Sequence, residues 1–482
     1  MTAFLKHYWK PLIALLSVLL FLCANYFFLA NDQFYFLVLP PAILLLVLFV
    51  KNMDYALLAT ALFTPLSVNT ALLGDSELSL PAEPMMILLS FVFIVRSIIE
   101  HRYSKHILRH PVSIAIIVML IWMLVVSVTS QIPIVSLKYT AARLWFVIPF
   151  FFAAAYAFRN PQRIRQFFWC YAIGLIIVIL ISTARTIGHM HDLNTIHHAM
   201  KPFYNDHTAY GCVIALMLPA AFYYIFSRNS KGWTRLFWAA LFGILLFGLY
   251  LSYSRAAWIS VVAAIAVFFA IRMGMKIKWM ALLFAVAVSL FFSYQGDLLY
   301  KMGKNSTDSS TELSSQVKSI SNISTDASNL ERLNRWASAF RMWSEHPILG
   351  TGPGTYQFLY ASYQRSYQKS VISTNAGDLG NAHSEYIGPL TEQGVPGLLF
   401  ITSIFVITFV TGVRVFRSAK ERPVAYTALA FTLSLLTYYV HGAFNNFLDT
   451  DKLSVPFWGF TAVIVALDVF SEKKYTEKAN PL

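Results

Sequence analysis

The sequence predicts an all-α fold, a polytopic bundle of transmembrane helices. Of the 482 residues, 57% are hydrophobic and only 12% are charged, a composition that excludes an ordinary soluble domain. Long apolar stretches recur along the whole chain, whereas the short alternating segments of a membrane β-barrel are absent. Because a backbone in lipid must satisfy its own hydrogen bonds, we expect the apolar stretches to be helical.

A window of roughly 20 residues, the length that crosses a bilayer, gives about fourteen spans. The predicted spans lie near residues 12–30, 34–50, 54–73, 81–99, 112–130, 137–157, 166–184, 207–227, 236–253, 255–272, 278–295, 391–414, 424–442 and 454–470. A polar segment, residues 296–390, separates the eleventh span from the twelfth and is predicted to form one large extracytoplasmic loop. The predicted divisions are therefore a bundle of eleven spans (1–295), this loop, three further spans (391–470) and a tail (471–482).

The basic residues predict how the bundle is oriented. If the N-terminus is cytoplasmic, every inner connection carries Lys or Arg, and so does the C-terminal tail, which is then cytoplasmic as well. The formal net charge of +14 is thus mainly a topology signal. Because these basic residues are dispersed and face the cytosol, the charge gives no reason to expect nucleic-acid binding.

Some basic residues fall on the predicted outer side even when the long loop is set aside. They are Lys138, Arg143, Arg185, Lys201, Arg255 and Lys452. A cation there opposes the usual charge distribution and needs a reason. Lys138 and Lys452 are predicted to extend to the membrane surface, whereas function and structural pairing both stay open for Arg143. Arg255 lies in a connection too short to be a true loop, so we expect its guanidinium to bind an anion at the surface.

A second outer loop, residues 188–207, is rich in histidine. Its histidines are His189, His191, His197, His198 and His207. They raise the alternative of a metal site with Asp192 or Asp206, but their spacing matches no established ligand pattern, so neither a metal nor a cofactor is predicted. Asp206 or Thr208 can cap the helix that follows. The free amide groups of that helix end would attract an anion, and Lys201 would add positive charge.

Within the long loop, residues 329–343 are predicted to form a helix that lies on the membrane surface or packs on the bundle. Its large apolar side chains recur at three- and four-residue spacing on one face. They are Leu333, Trp336, Phe340 and Trp343. The glycines of residues 350–354 follow a helix rather than a strand, so they predict a tight turn and not a nucleotide-binding loop.

Short polar and glycine-containing segments follow one another in a distinctive order between residues 200 and 460. They are Phe203-Tyr204-Asn205, Ser254-Arg255, Arg335-Trp336, Pro347–Gly352, Asn381–Tyr386 and Glu392–Gly397. Together with the many spans and the large outer loop near the C-terminus, these segments resemble the O-antigen ligase and O-antigen polymerase superfamily. Each segment is short, but the combination and its order are specific.

The resemblance implies a GT-C-like membrane glycosyltransferase in the bacterial cytoplasmic (inner) membrane. Such proteins transfer a glycan from undecaprenyl pyrophosphate to an acceptor hydroxyl on the periplasmic face, without a metal or a nucleotide sugar. By this resemblance, His383 matches the catalytic histidine and Arg255 matches an arginine that holds the pyrophosphate. Lys201 stands where relatives usually have an arginine, and residues 205–207 replace the usual triplet.

The chemistry of such a transfer agrees with these residue types. A diphosphate leaving group needs cations near its developing charge, which Arg255 and Lys201 would supply. His207 and Arg143 complete the predicted set of substrate-binding residues. The acceptor hydroxyl needs a base, and His383, with an ordinary pKa of roughly 6.5, is the predicted one.

Several alternatives stay open from the sequence. Glu385 could be the base in place of His383, because carboxylates fill that role in many sugar-transfer enzymes. The acceptor could be a lipid A core-like glycolipid, a growing glycan or a protein, which correspond to ligase, polymerase and protein O-oligosaccharyltransferase activity. From a different class, a lipid-glycan transporter would show internal repeats and polar residues near the bilayer midplane, and the sequence shows no clear repeat.

Overall fold

The computed structural model describes residues 18–30, 39–73, 76–100, 104–187, 198–227, 230–280, 282–283, 285–286, 327–369, 373 and 380–479. The chain forms two units, Met1–Ala56 and Leu57–Leu482. All candidate site residues that the structure describes belong to the second unit.

Long α-helices account for most of the regular structure in the described residues. In chain order they are α1 (Val18–Leu29), α2 (Leu39–Lys51), α3 (Met53–Phe63), α4 (Ala82–Glu100), α5 (Pro111–Val128), α6 (Pro133–Ala157), α7 (Pro161–Thr186), α8 (His207–Phe226), α9 (Trp233–Leu251), α10 (Arg255–Arg272), α11 (Ala327–Glu345), α12 (Ile387–Ser418), α13 (Arg422–His441) and α14 (Asp451–Ala479). Two short strands, β1 (Val68–Leu73) and β2 (Ser76–Leu80), lie between α3 and α4.

Within the described residues, ten helices are long and apolar enough to cross a membrane, namely α4–α10 and α12–α14. They coincide with the fourth to tenth and the twelfth to fourteenth predicted spans. The predicted fold class, a polytopic helical membrane protein, is therefore confirmed. The predicted eleventh span, near residues 278–295, lies mostly outside the described residues, and the apolar helices at the first and third predicted spans are shorter.

The third predicted span, residues 54–73, was wrong in its second half. The α-helix ends at Phe63, a turn of 3-10 helix covers Thr64–Leu66, and the chain then enters β1. Pro65 has no N–H to donate and its ring crowds a preceding carbonyl, which favours the end of the α-helix just before it. The strands pair in antiparallel register from Val68 opposite Leu80, and they form the one sheet found in the described residues.

The core of the second unit is built around α14. In its membrane-spanning window 83% of the residues are buried, against 28% for the peripheral α10. Phe457, Trp458 and Phe460 of α14 are all fully buried. Phe460 stacks on Phe168 of α7 and meets Phe431 of α13 edge-on, with ring centroids 6.2 and 4.7 Å away. Such aromatic pairs contribute about 0.5–1.5 kcal/mol beyond their burial, so α7, α13 and α14 form a rigid centre.

The described part of the long loop packs on the helix bundle. Helix α11 buries Leu333, Trp336 and Met342 against Tyr356 and Tyr360, two aromatic residues of the following segment. The predicted amphipathic helix is confirmed, since Leu333 and Trp336 belong to its buried face as expected. Its other two predicted face residues, Phe340 and Trp343, are only partly buried.

Two glycines dock the segment after α11 onto α12. Gly350 and Gly394 both have a left-handed φ of 69°. A Cβ added at Gly350 would lie 2.3 Å from the carbonyl carbon of Glu392, and one added at Gly394 would lie 2.0 Å from the carbonyl oxygen of Ile348. Glycine is therefore required at both positions, because the two backbones approach too closely for a side chain. The predicted tight turn at residues 350–354 is confirmed, and it meets the kink at Gly394 within α12.

Candidate active site

His383 lies in the segment that leads into α12, and its backbone is in the left-handed region with φ of 49°. This conformation is unfavourable by roughly 1–2 kcal/mol for a residue other than glycine. Hydrogen bonds hold it in place. The N–H of His383 donates to Asn381 Oδ1 at 3.1 Å, and Ser384 Oγ accepts from the N–H groups of Tyr386 and Ile387 at 3.3 Å.

Arg335 supports the same segment from α11. It forms a buried ion pair with Glu331, with Arg335 Nε 2.8 Å from Glu331 Oε1. Its Nη1 donates to the carbonyl of Asn381 at 3.1 Å. A Cβ at Gly380 would fall 1.7 Å from that same Nη1, so the guanidinium occupies the space a larger residue would need. Arg335 thus fixes the backbone just before His383.

The surroundings of His383 change its proton affinity. Burial, followed by the positive charges of Arg332 and Arg335, lowers the pKa of His383 to about 3, while Asp206 and the side chain of Asn445 act in the opposite direction. This shift from the ordinary value could not be predicted from the sequence, because it depends on tertiary burial and on the neighbouring charges. The ring is therefore neutral at pH 7, which is the form that can accept a proton, and its side chain remains partly exposed.

A second histidine lies beside His383 and was not predicted. His441 is the last residue of α13 and is fully buried. Its Nε2 lies 3.2 Å from Nδ2 of Asn445, which is also buried. The side chain of Asn445 also lies near enough to His383 to favour the charged form of that ring. The connection after α13 therefore lies beside His383.

Glu385 anchors the loop that carries Asn445. Its Oε1 accepts from the hydroxyl of Tyr438 at 2.5 Å and from the N–H groups of Phe447 and Leu448, both at 2.8 Å. Burial raises the pKa of Glu385, against the opposing charge of Arg143 and these hydrogen bonds. With one oxygen already accepting three donors and only 4% of the residue exposed, Glu385 is placed as a structural anchor rather than as a base.

Arg143 braces the same loop from the other side. Its Nη1 donates to the carbonyl of Leu448 at 2.5 Å, and its Nη2 donates to the hydroxyl of Tyr139 at 2.9 Å. The residue is only 8% exposed. Glu385 accepts from the N–H of Leu448 and Arg143 donates to its carbonyl, so the loop is held by the peptide groups on both sides of this residue. These contacts favour the structural alternative for Arg143, and direct substrate binding by it stays a prediction.

Asp449 is a carboxylate that the sequence did not single out. Its side chain reaches the surface, yet it lies among buried charges at the end of the clamped loop. Burial by the surrounding protein, followed by the charge of Glu385, raises the pKa of Asp449 to about 7, while Arg143 opposes that shift. A carboxylate with such a pKa can exchange protons near neutral pH.

The beginning of α8 lies close to His383. Asp206 caps this helix as predicted, its Oδ1 accepting from the N–H of Thr208 at 3.0 Å. The same oxygen lies 3.0 Å from Nδ1 of His207. Burial alone would raise the pKa of Asp206, but the hydrogen bonds and charge of His207 and the bonds from Thr208 hold that pKa well below its usual range. Asp206 is therefore an anion that faces His383.

The start of α10, which carries Arg255, packs against the start of α8. A Cβ at Gly211 of α8 would lie 2.7 Å from Ser252 Oγ and 2.8 Å from Ser254 Cβ, so the two segments are in direct contact. Tyr253 has a φ of 49°, and it and His383 are the non-glycine residues with a left-handed backbone in the described part of the chain. Arg255 itself is partly exposed.

Lys201 lies on the segment before α8, and its side chain is exposed. The backbone of this segment is held by Arg185, whose Nη1 donates to the carbonyl groups of Ala199 and Lys201. Arg185 thereby holds the segment in place, which gives a structural reason for that outer cation. A direct role for Lys201 in substrate binding stays a prediction.

Lys452 does not extend to the membrane surface, contrary to expectation. It is only 7% exposed, and its Nζ lies 3.0 Å from Asp451 Oδ1 and 3.0 Å from Ser67 Oγ. A buried ammonium needs such partners because isolated charges are strongly disfavoured in the interior. Lys138, by contrast, is exposed as predicted.

The structure bears on the metal alternative only in part. Among the described residues, no group of three or more His, Cys, Asp or Glu side chains is arranged to hold a metal ion. His189, His191 and His197 lie outside the described residues. The described members of that loop, His198 and His207, do not complete such a group.

Arg332, His441 and Asn445 were missed by the sequence reasoning. Lys and Arg on the outer face stand out in a sequence because they oppose the topology rule, and neutral residues such as His441 and Asn445 carry no such signal. The sequence nevertheless contains a pattern that could have indicated His441 and Asn445. The short connection at residues 441–446 has a histidine and two adjacent asparagines between two apolar spans. Arg332 lies in α11, whose apolar spacing indicates packing and does not single out an arginine.

The fold and this cluster define a polytopic helical membrane protein with histidines, arginines and buried carboxylates gathered where several helices end. A family model described as O-antigen ligase matches residues 240–402. The resemblance to that superfamily is therefore confirmed, and the match supports an O-antigen ligase-like membrane glycosyltransferase. No curated protein matches the chain. The matched segment includes Arg255 and His383 but ends before His441 and Asn445.

Proposed function

We propose that this protein transfers a glycan from undecaprenyl pyrophosphate to an acceptor hydroxyl on the periplasmic face of the bacterial cytoplasmic membrane. The observation that carries the proposal is the environment of His383. A neutral imidazole is held in a strained backbone conformation, partly exposed, with two arginine charges beside it. Strain of this kind clusters at functional sites, where the surrounding contacts maintain it.

The cations would bind the diphosphate of the donor. Arg335 is engaged by Glu331 and by the carbonyl of Asn381, so it holds the loop. Arg332 and Arg255, both partly exposed, are the guanidinium groups that we assign to the diphosphate. A planar guanidinium donates two parallel hydrogen bonds to a phosphate, which positions the leaving group and offsets its developing negative charge.

The proposed transfer step uses protein side chains alone and needs no metal ion. The acceptor oxygen forms a bond to the anomeric carbon of the glycan while the bond from that carbon to the diphosphate oxygen breaks. The electron pair leaves with the lipid diphosphate, and the acceptor proton passes to the neutral ring of His383. The protonated ring afterwards releases this proton to water or to the diphosphate product.

Donor binding would also strengthen the base. The pKa of His383 is about 3 in the free protein, partly because Arg332 and Arg335 are near it. A bound diphosphate brings negative charges that offset those arginines, so the proton affinity of the ring rises when the donor is in place. The base would thus be most effective in the complex.

The placement of charge along the bundle supports the proposed orientation. His441 ends α13, and Lys420 and Glu421 precede its other end, twenty residues or about 30 Å away. Lys420, Arg159 and Asp468 line a common cavity there. The segments predicted to be cytoplasmic therefore meet at the end of the bundle opposite His383, as a periplasmic site requires.

The proposal is tested with purified protein, an undecaprenyl-pyrophosphate-linked glycan and three acceptors. The acceptors are a lipid A core-like glycolipid, a free glycan of the donor repeat and a protein with exposed Ser and Thr. We expect a transfer product with wild type in the presence of EDTA and a loss of about 100-fold or more in turnover for His383→Ala. His346→Ala is the matched control, because His346 lies on the same loop and contacts Gln131 instead.

The acceptor that yields product distinguishes ligase, polymerase and protein-glycosylating activity. Transfer that requires added Mg²⁺ or Mn²⁺ would contradict the metal-independent mechanism. Translocation of the donor across vesicles without any transfer product would favour the transporter instead. Near-normal turnover of His383→Ala would remove His383 as the base, and Asp449 would be the next residue to test.

A further inference from the structure

We propose that the apolar tip of the long loop, residues Pro347–Leu349, inserts into the lipid leaflet on the side of the membrane that carries His383. Its partner is the outer edge of the hydrocarbon region of the bilayer. The tip would contact lipid whether or not the protein transfers a glycan, so this surface goes beyond the proposed function.

The tip connects the end of α11 to the glycine turn at residues 350–354. Ile348 is 65% exposed and Leu349 is 40% exposed, although both are large aliphatic side chains in a loop. Ser344 and Glu345, just before the tip, are polar and exposed. The chain therefore changes from polar to apolar within a few residues, and an exposed apolar surface with a polar border is typical of a membrane contact.

The backbone of the tip is suited to a nonpolar environment. The carbonyl of His346 accepts from the N–H of Gly350, and the carbonyl of Pro347 accepts from the N–H of Val395, both at 2.9 Å. Pro347 has no N–H that needs a partner. Because unsatisfied backbone groups are strongly disfavoured in lipid, these bonds favour insertion of the tip.

The contact with α12 places the tip at the edge of the hydrocarbon region. Residues 395–413, which follow the kink at Gly394, contain no Asp, Glu, Lys or Arg. At 1.5 Å per residue they span about 28 Å, close to the hydrocarbon thickness of roughly 30 Å. Val395, which binds Pro347, is thus the first residue of the apolar span on the His383 side. Glu392 and Gln393, just before the kink, are polar and buried in protein.

Helix α5 gives the level of the kink independently. Trp122 lies about 9 Å along the helix axis before Val128, the last residue of α5. The indole Nε1 of Trp122 donates to the carbonyl of Gln393 at 2.9 Å. The kink of α12 therefore lies beside the last turns of a membrane-spanning helix, and the tip that binds Val395 lies at that level too.

The exposed residues of α12 continue the apolar surface of the tip. Val395, Leu399 and Val406 are exposed and recur at helical spacing on one face, which is the arrangement of a lipid-facing surface. Trp343 lies beside the tip and is partly exposed, its Nε1 donating to the carbonyl of Pro347 at 3.3 Å. Tryptophan is enriched at the boundary between membrane and water, so these neighbours favour lipid as the partner of the tip.

The test measures the depth of the tip in the full-length protein, reconstituted in nanodiscs of phosphatidylethanolamine and phosphatidylglycerol. Ile348→Cys and Leu349→Cys are each made in a Cys23→Ala parent, because Cys23 is exposed whereas Cys170 and Cys212 are not. Each protein is labelled with a thiol-reactive NBD fluorophore, and the labelled parent gives the background. Iodide quenches a label in water, and doxyl-labelled phosphatidylcholine quenches a label in lipid. The melting temperature in detergent reports whether each variant is folded.

Two further positions calibrate the measurement. Ser366→Cys is the matched control on the same loop, because Ser366 is exposed between the exposed charged residues Arg365 and Lys369. Leu399→Cys is the lipid reference on α12. We expect labels at Ile348→Cys and Leu349→Cys to be quenched by iodide about fivefold less than the label at Ser366→Cys. Doxyl groups near the headgroup should quench them about twofold more than doxyl groups near the end of the acyl chain, as expected for shallow insertion.

A charged residue should remove the tip from the lipid. With the label at Leu349→Cys, the additional change Ile348→Asp should increase iodide quenching about threefold, because a carboxylate is strongly disfavoured in hydrocarbon. Ser344→Asp is the matched control, since Ser344 is already exposed on the polar side of the tip, and it should leave the quenching unchanged.

Three outcomes overturn the inference. Iodide quenching at Ile348→Cys and Leu349→Cys equal to that at Ser366→Cys would place the tip in water. Protection of both labels from iodide and from doxyl lipid would show that protein, such as a second copy of this chain, covers the tip. Unchanged quenching after Ile348→Asp would contradict insertion, because the carboxylate would not remain in lipid. None of these measurements uses glycan transfer, so the proposed function stands or falls separately.

Discussion

Replacing Glu385 distinguishes an anchor from a base more sharply than any other change in this site. The carboxylate accepts from Tyr438, Phe447 and Leu448 through a single oxygen. Glu385→Gln keeps an oxygen in the same place but cannot take a proton from the substrate at neutral pH. Glu385→Ala removes the acceptor altogether. If Glu385 is a base, turnover is lost in both variants. If it is an anchor, turnover is lost only in Glu385→Ala.

The expected magnitudes follow from the burial of the partners. Tyr438 and Leu448 are fully buried, while Phe447 is partly exposed, so Glu385→Ala strands two buried donors. Each stranded donor costs about 1–3 kcal/mol, and the free energy of unfolding should fall by about 2–6 kcal/mol. Glu385→Gln replaces a charged hydrogen-bond acceptor with a neutral one, which weakens each hydrogen bond by about 1 kcal/mol. The neutral amide, however, costs less free energy to bury than the carboxylate does.

The assay measures both the melting temperature in detergent and the transfer rate. We expect Glu385→Gln to fold and to keep turnover within about tenfold of wild type, and Glu385→Ala to melt markedly lower and lose turnover. A Glu385→Gln protein with wild-type melting and no turnover would show that Glu385 is the base. Wild-type melting of Glu385→Ala would refute the clamp on the Asn445 loop.

Three further results are expected. Gly394→Ala places a Cβ against the carbonyl of Ile348, so proteolysis near that residue should become faster, while Gly243→Ala, which meets no neighbour within 4 Å, should not change it. Because the pKa of His383 is about 3 and only the neutral ring is a base, kcat/KM should stay flat from pH 7 to pH 5; a midpoint near 6.5 would contradict this. Arg255→Lys keeps the charge but loses the paired donors, so the KM for the donor should rise about tenfold, and an unchanged KM would refute diphosphate binding there.

The helices could be predicted well because lipid imposes one strong rule on the sequence. Ten predicted spans coincide with long apolar helices in the described residues. The prediction for residues 54–73 was partly wrong because composition alone does not show where a helix ends within an apolar stretch. That stretch is apolar enough for a span, but Pro65 ends the helix and the residues after it pair as strands.

The candidate site could be predicted only where a residue broke a rule. Arg255 stands out from the sequence because a cation on the outer face opposes the topology rule. The same rule also singles out Arg143 and Lys452. In the structure Arg143 donates to a backbone carbonyl, and Lys452 forms a buried ion pair. The sequence could not separate these cases, because the partners, the carbonyl of Leu448 and the carboxylate of Asp451, are set by tertiary packing.

The strained backbone at His383 indicates why the clamps around it are so numerous. A left-handed histidine would relax by about 1–2 kcal/mol if its segment were free to move. Arg335 holds the segment before it, and Glu385, two residues later, is tied through its own N–H to the carbonyl of Gly442 at 2.7 Å. Because both flanks are fixed, the backbone of the proposed base is held in this conformation before any substrate arrives. The buried polar bonds of the surrounding loops therefore serve the geometry of one side chain, which is the arrangement that electrostatic preorganisation requires.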